Sequence, residues 1–543
     1  MAPFAIPAVT SGRLRAFRVT DFSGGLDVMT SPTKLADLGH RNRWLTVAKN
    51  VVFETDGSVA KRWGMIEKGN GTVLSTAISG GIEWRPSTAP ASQTDVVATQ
   101  DGTVYSVTNS GYTSIKTGLT SVRNYSFAIY NDILHVANGT DAPQQWDGTT
   151  WAALGGSSPA TASVFVAHGN RMFALAKAVP SRLYWSKLNA STDWSGTTDA
   201  GFLDVNPNDG GVLTTLVPGV QELVLGKTWR PYRLQGIGPT TGYTVVDHLM
   251  PADGSIGPTS MQAAVYAAND VWYASQSGIH RLSATQQYGD LKNSFISHRV
   301  EPYFRRNTTY SPYDTISFQG YSGFADSPTL SYDSANGLLL HGARYSSVTN
   351  ACDRVLVYNI ALDAFSEWRI ASGGTAGEIT TPFWESQNNS THMAELRCGL
   401  YSSASGKGML VALRRDQTSD LTLTSGSLAS AGIVAQVRHA TNLGAAGMEK
   451  VPRYIYFYFS EQSSSTTMTL NLYADFKTTA AFTTTFDIAS ATAESIIVKR
   501  VDVGGFTCEY LEVDLQNSTA GRTFTLYGYE VHWRPRRDVG RAE

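Results

Sequence analysis

A chain of 543 residues is too long for one hydrophobic core at ~100–200 residues per domain, so two or three domains are expected. Charged residues make up 16% of it, against about 25% in an ordinary soluble domain, and the balance is filled by 50 glycines and many Ser and Thr, the residues of turns and strands. A formal net charge of −2 argues against a protein that grips phosphates, which normally carries a basic excess, and no stretch reaches the ~18 uninterrupted apolar residues of a membrane-spanning helix.

The N-terminal segment MAPFAIPAVTSGRLRAFRV lacks the apolar core of a secretory signal. Residues 1–20, with two prolines flanking Phe4 and Ile6 and with Arg13, Arg15 and Arg18, read as an extended arm that pairs with a neighbour. Behind it come Asp21-Phe22-Ser23-Gly24-Gly25-Leu26-Asp27, then Ser31-Pro32, then two strands, Val51–Glu54 and Ser58–Arg62, around Asp56-Gly57. Asp-Gly between apolar runs is a strong short-hairpin signal. The Gly pair is followed by neither a helix pattern nor Lys-Ser/Thr, so it does not read as a phosphate loop.

From about Gly80 one grammar repeats: β-branched and aromatic runs bounded by Asn, Asp, Gly and Ser. Its clearest unit is Gln262–Leu282, with Ala263–Tyr266, a turn at Asn269-Asp270, Val271–Ala274, a turn at Ser277-Gly278, and Ile279–Leu282. Comparable units centre on Asp101-Gly102, Asn131-Asp132, Gly169-Asn170, Glu222–Gln235, Asn336-Gly337 (with Ala364–Arg369 as its last strand) and Glu395–Leu413. Arrays of small antiparallel sheets at such spacing predict an irregular β-propeller of six or seven blades. Two inserts, Gly236–Pro258 and Tyr303–Pro328, read as loops on the ring, where contacts to partners usually sit. Past Asp416, Ser419–Ala431 reads as a linker or crossing strand, and Tyr454–Phe459, Met468–Tyr473, Glu494–Val501, Cys508–Leu515 and Thr523–Trp533 read as strands, with period-two alternation in Met468–Leu472 and Phe524–Tyr527, which together predict a β-sandwich. The expected organisation is all-β: an N-terminal arm and hairpin over 1–75, a propeller over 76–418, and a C-terminal β-sandwich-like domain over 419–543. The chain ends on a basic run, Arg534, Arg536, Arg537 and Arg541.

Reaction chemistry is sought in vain. Cys352, Cys398 and Cys508 are odd in number and far apart, giving neither a disulfide framework nor zinc spacing, and read as buried thiols of a protein made in a reducing cytosol. None of the ten histidines forms His-x-x-x-His or His-Glu-x-x-His. No Gly-x-Ser-x-Gly elbow is present. Asp56, Asp101, Asp132, Asp147 and Asp270 sit in or beside turns, where such residues cap their own backbone. No catalytic, cofactor-binding or metal-binding residue is therefore nominated, and the chain reads as a non-enzyme. The rival class is a carbohydrate-binding or carbohydrate-cleaving propeller, using aromatics such as Trp194, Trp229 and Tyr243 and acids from Glu222, Asp247, Glu301 and Glu367. Gln145–Trp151 misses the Ser-x-Asp-x-Gly-x-x-Trp box of sialidase-type blades, because Asp147 and Gly148 are adjacent and the Ser is absent.

FSGGLDVMTSP followed by NVVFETDGSVAKRWG resembles the opening of the nozzle (tail tubular protein B-like) structural tail proteins of short-tailed bacteriophages. The resemblance continues in Asn138–Pro143 with Trp146–Trp151, in Gly169–Phe173, Arg182–Ser186 and Thr192–Trp194, and in Ser275–Ile279 with Ile296-Ser297. It departs at Trp63, where the family carries proline. The resemblance implies a structural virion protein, made in the host bacterial cytoplasm, whose 1–75 segment belongs to an assembly platform. It implies a ring, a homohexamer, below a tail adaptor ring protein, with tail fibre or tailspike proteins docked on its side and viral DNA passing through the lumen during ejection without specific binding. A component of a longer-tailed phage is the neighbouring alternative.

Overall fold

In the computed structural model, the described residues run from 14 to 536, apart from 237–242, 248–256, 285–290, 305–327, 344–353, 371–377, 388–392, 490–494 and several stretches of one or two residues. The chain divides into two compact units.

The larger unit, 63–358 with 369–431, is the propeller. Blade one is Ile78–Trp84, Thr94–Thr99, Val104–Thr108 and Gly111–Lys116; blade two is Ser126–Tyr130, Ile133–Ala137, Gln144–Trp146 and Trp151–Ala153. Blade three runs Ala162–His168, Arg171–Ala176, Arg182–Trp185 and Gly201–Asp204, and blade four Leu213–Pro218, Leu223–Lys227, Pro231–Gln235 and Thr244–Asp247. Blade five is Ala264–Ala267, Asp270–Ala274, Ile279–Ala284 and Leu291–Phe295, and blade six holds Thr329–Asp333, Leu338–Ala343 and Arg354–Asn359. In blade seven Glu378–Ile379 and Trp384–Gln387 both pair with Ala394–Ser402, which pairs with Lys407–Arg414. The outermost strand of blade seven is Gly64–Lys68, from the other end of the unit, with Lys68 opposite Leu410 and Gly64 opposite Arg414. The inner strands pack one blade on the next, and blade seven packs on blade one, so the ring is closed. Seven is the upper of the two expected counts.

Turn chemistry explains the blades locally. Asn131-Asp132 and Gly169-Asn170 hold positive φ at both positions, as two-residue hairpin loops require. In blade five the turn falls one residue earlier than the sequence suggests. Ala268 and Asn269 carry the positive φ, while Asp270 pairs with Ala267 and caps the amide of Val271. Its carboxylate also takes Arg281 (2.6 Å) and Ser283 (2.9 Å), so it is held in the strand. Asp56, Asp101 and Asp147 accept from amides two or three residues on, as read. Ser419–Ala431, read as a linker or crossing strand, holds the strand Ser419–Thr424, which pairs with Ser427–Gly432.

The smaller unit gathers 1–62, 359–368 and 432–543. The segments read as separate N- and C-terminal parts thus share one unit. Arg15–Val19 pairs antiparallel with Tyr529–Trp533 of its own chain, where a neighbour was expected as partner, and the hairpin Val51–Phe53/Val59–Lys61 joins the same sheet through Thr525 and Leu526. That sheet continues through Lys450–Ser460 to its edge strand Ile496–Asp502. A second sheet holds Val47–Lys49, Ala435–Thr441, Leu511–Asn517, Thr467–Ala474 and the edge strand Phe482–Asp487. Phe457 of the first sheet stacks on Phe486 of the second at 5.5 Å, and His439 Nδ1 lies 2.6 Å from the Tyr529 hydroxyl. Inward Leu470, Leu472, Val513 and Leu515 face Ile455, Phe459 and Val531 in a sandwich core. Segment 359–368 is tied in by the Trp368 indole donating to Val51 O (3.0 Å) and by Gly25, where a Cβ would lie 2.8 Å from Phe365 N at φ +67°.

Candidate functional site

A cavity of about 480 Å³ lies in the propeller where blade seven meets blade one. It is lined by the end of the closing strand (Glu67, Lys68, Gly69, Asn70), by Gln93, Thr94, Asp95, Thr108 and Asn109 of blade one, and by Gln387, Arg397 and Arg414 of blade seven. Glu395 and Arg397 stand two apart on Ala394–Ser402 and therefore share a face, while Leu396, Cys398 and Leu400 fill the other. Arg397, 5% exposed, pairs with Asp95 (3.2 Å) and with Glu395. Glu395 also takes Lys68 at 3.1 Å and lies 3.6 Å from Arg414. Above this, Glu83 accepts from Gln93 and from the amide of Gln387, and Arg85 bridges Gln387 and Gln93. Burial lowers the Lys68 ammonium from its usual range, helped by the Arg397 charge and opposed by Glu395. Burial likewise raises the Glu83 carboxyl.

What this site can do follows from its charge balance. The cations that line it each have a carboxylate within 4 Å, so it attracts no strongly charged ligand. It is an ionic seam that joins the two ends of the ring. The sequence reading missed it. The only signal was a Glu and an Arg placed two apart in a strand otherwise reading as core.

A second cavity, about 550 Å³, borders the same blade between Trp63, Asp333, Asn336, Met393 and Arg415. Arg415 lies over the Trp63 ring at 5.3 Å and donates to Asn336 at 2.7 Å, which shows what the tryptophan does where the resembled family has proline.

The aromatics weighed for sugar binding do not converge. Trp194 is buried between blades two and three, its indole donating to Ser191 O. Tyr243 packs on Trp185 (4.9 Å) and Phe173, against blade three, and Trp229 is 45% exposed. Of the acids, Glu222 pairs with Arg233 (3.0 Å) and Glu367 is buried in the smaller unit; the Asp247 side chain is outside the described residues, as are Cys352, Arg305-Arg306, Thr308–Tyr310, Arg537 and Arg541. Cys398 and Cys508 are buried free thiols, the latter pushed up to about 12 by burial. Among the described residues no three His, Cys, Asp or Glu side chains group as metal ligands, and no helix is long and apolar enough to cross a membrane.

The motifs that carry the resemblance noted in the sequence make scaffold contacts. In blade three, Arg171 donates to Ser186 O and to Asp199, Ser186 and Met172 exchange hydrogen bonds, and Lys187 holds Asp193. In blade five, Ile279 N donates to Ser297 Oγ, and a Cβ on Gly278 would lie 2.2 Å from that oxygen. Trp146 stacks on Trp151 and packs on Trp84 of blade one. In the hairpin motif, Lys61 is buried and donates to Asn517 (2.7 Å), and Arg62 donates to Asn50 (2.9 Å).

No protein-family model and no curated protein matches the chain. Among solved structures it is similar to YCF48 bound to a D1 peptide, at TM-score 0.37 and 11% identity over 65% of this chain and 95% of that one. It is also similar to the β-propeller domain of Myceliophteria thermophila Swd1, at 0.37 and 9% over 65% and 98%, and to the computationally designed protein Ika8, at 0.36 and 13% over 64% and 99%. The protein is an all-β chain with a seven-bladed propeller and a β-sandwich-like unit, an assignment that rests on the strand pairing above.

Proposed function

We propose that this chain is a structural virion protein, the nozzle subunit of a short-tailed phage, which closes with further copies into a ring that conducts DNA and carries tail fibres. The observation that carries the reading is the placement of the nozzle-like motifs. Asn50, Lys61, Arg62, Arg171, Ser186, Gly278 and Ser297 are residues whose contacts set the fold. A likeness confined to such residues is one of architecture, and the architecture is the work of a tail protein. The charge of −2 supports it as well, since DNA leaving a lumen is slowed by each phosphate contact. Electron microscopy of the purified chain tests the proposal. Closed rings with an axial hole are expected. A chain that stays monomeric at every concentration and binds or hydrolyses a polysaccharide would replace this reading with the carbohydrate-active one.

A further inference from the structure

The second cavity, about 550 Å³, differs in kind from the ionic seam, although both border the strand Ala394–Ser402. Its lining residues all belong to the propeller unit. Glu395 and Arg397 serve the seam, whereas Leu396, on the other face of the strand, lies opposite Leu413 and lines this cavity with it. Met393 stands at the same cavity, 70% exposed, and an unbranched thioether adapts to varied apolar shapes. Trp63 completes the apolar lining. Apolar walls with a few placed polar groups, in a volume of roughly 300–1,000 Å³, are the features of a small-molecule site.

The charges at this cavity do not cancel as those of the seam do. Asp416 is held by Arg414 at 2.9 and 2.5 Å, and Glu395 is taken by Lys68 and Arg397. Asp333 is buried, which raises its carboxyl from the usual range, and its two oxygens accept from the amide and the side chain of Asn336. That leaves Arg415. It is exposed, its Nε donates to Asn336 Oδ1 at 2.7 Å, its guanidinium lies 5.3 Å from the centre of the Trp63 ring, and among the described residues no carboxylate pairs with it. Asn336 and Trp63 thus fix the guanidinium while using only Nε as a donor. The two terminal nitrogens are the pair that meets both oxygens of one carboxylate.

We infer that this cavity binds a small hydrophobic carboxylate, its apolar body against Leu396, Leu413 and Met393 and its carboxylate on the Arg415 guanidinium. The inference stands on these propeller residues and does not depend on the ring reading. Octanoate is the probe, with 1-octanol as the same body without the charge and acetate as the charge without the body. Each is titrated into the full-length chain and followed by saturation-transfer difference NMR and calorimetry. Octanoate should bind at least about tenfold tighter than either. Arg415→Met should abolish that advantage, leaving octanoate no tighter than octanol. Arg415→Lys should restore it in part, because an ammonium keeps the charge but not the two-pronged fit. Met393→Asp should weaken octanoate by repulsion at the cavity mouth. Both positions are exposed, and circular dichroism melting checks that each variant folds. Octanol binding the wild type as tightly as octanoate, octanoate binding Arg415→Met undiminished, or no saturable octanoate binding would each overturn the inference. A short peptide ending in leucine that binds more than tenfold tighter than octanoate, and only with a free terminal carboxylate, would overturn the small-molecule occupant in favour of a chain end.

Discussion

Two junctions of the propeller do the same job with different chemistry. Between blades three and four, Phe173, Leu183, Trp185, Leu216, Leu225 and Tyr232 form one buried apolar cluster. Between blades seven and one, an apolar layer of Leu74, Ile78, Val97 and Leu410 is overlaid by Asp95, Glu395, Arg397, Lys68 and Arg414. The first junction joins blades that are already consecutive in the chain, so hydrophobic contact without directional preference is enough. The second joins chain segments more than three hundred residues apart, and the closing strand could pair out of register. Slipping by one residue would turn Lys68 away from Glu395. Directional ion pairs penalise that slip where methyl groups would not. On this account the seam contributes to register more than to net stability, in line with the desolvation cost of buried ion pairs.

Changes to each junction should separate the two. The largest effect is expected from Arg397→Ala, which removes the cation shared by Asp95 and Glu395 and leaves the buried Asp95 carboxylate without its ion pair. It should destabilise the propeller by about 3–5 kcal/mol in urea melting, and a loss under about 1 kcal/mol would mean that the ions do not fix the seam. Leu183→Ala, in the apolar junction, should cost about 3 kcal/mol through its cavity, with no dependence on salt. Acid should act first at two buried histidines that lie outside both junctions. Burial holds His135, which lies beside Phe165 and Ser191, and His341 at about 4, below the free value of 6.5. The unfolded chain binds protons that the fold refuses between those values. Their contribution is complete above pH 6.5 and is lost as pH falls towards 4, by up to on the order of 3 kcal/mol each. Equal loss in wild type and Arg397→Ala would show that the histidine sites and the seam act independently. Smallest is Lys68→Met, expected within about 1 kcal/mol because the partly desolvated ammonium gives up little on removal; a double-mutant cycle with Glu395→Gln reads the coupling directly.

The repeats were legible because each blade carries its own turn chemistry: Asn131-Asp132, Gly169-Asn170 and Asp101-Gly102 announce hairpins within a few residues. The sandwich strands were legible for the same reason, since Met468–Leu472 alternates on its face. What local pattern could not carry was pairing at long range. Nothing in Gly64–Lys68 marks it as a strand of the last blade, and nothing in Arg15–Val19 names Tyr529–Trp533 as its partner. Nor does composition show that Lys61, Arg62 and Arg397 are buried, because a buried charge is recognisable only with its counter-group in place.

The origin of the outermost strand of blade seven also sets a timetable. Residues 64–68 leave the ribosome long before residues 407–414, against which they pair. At roughly 5–20 residues per second the nascent chain holds that edge open for roughly 20–70 s. The hairpin at 51–61 waits longer still, for residues 525–526. Birth of this molecule is therefore a matter of shielding unfinished hems, and a chaperone that covers strand edges would raise its yield more than any gain in final stability.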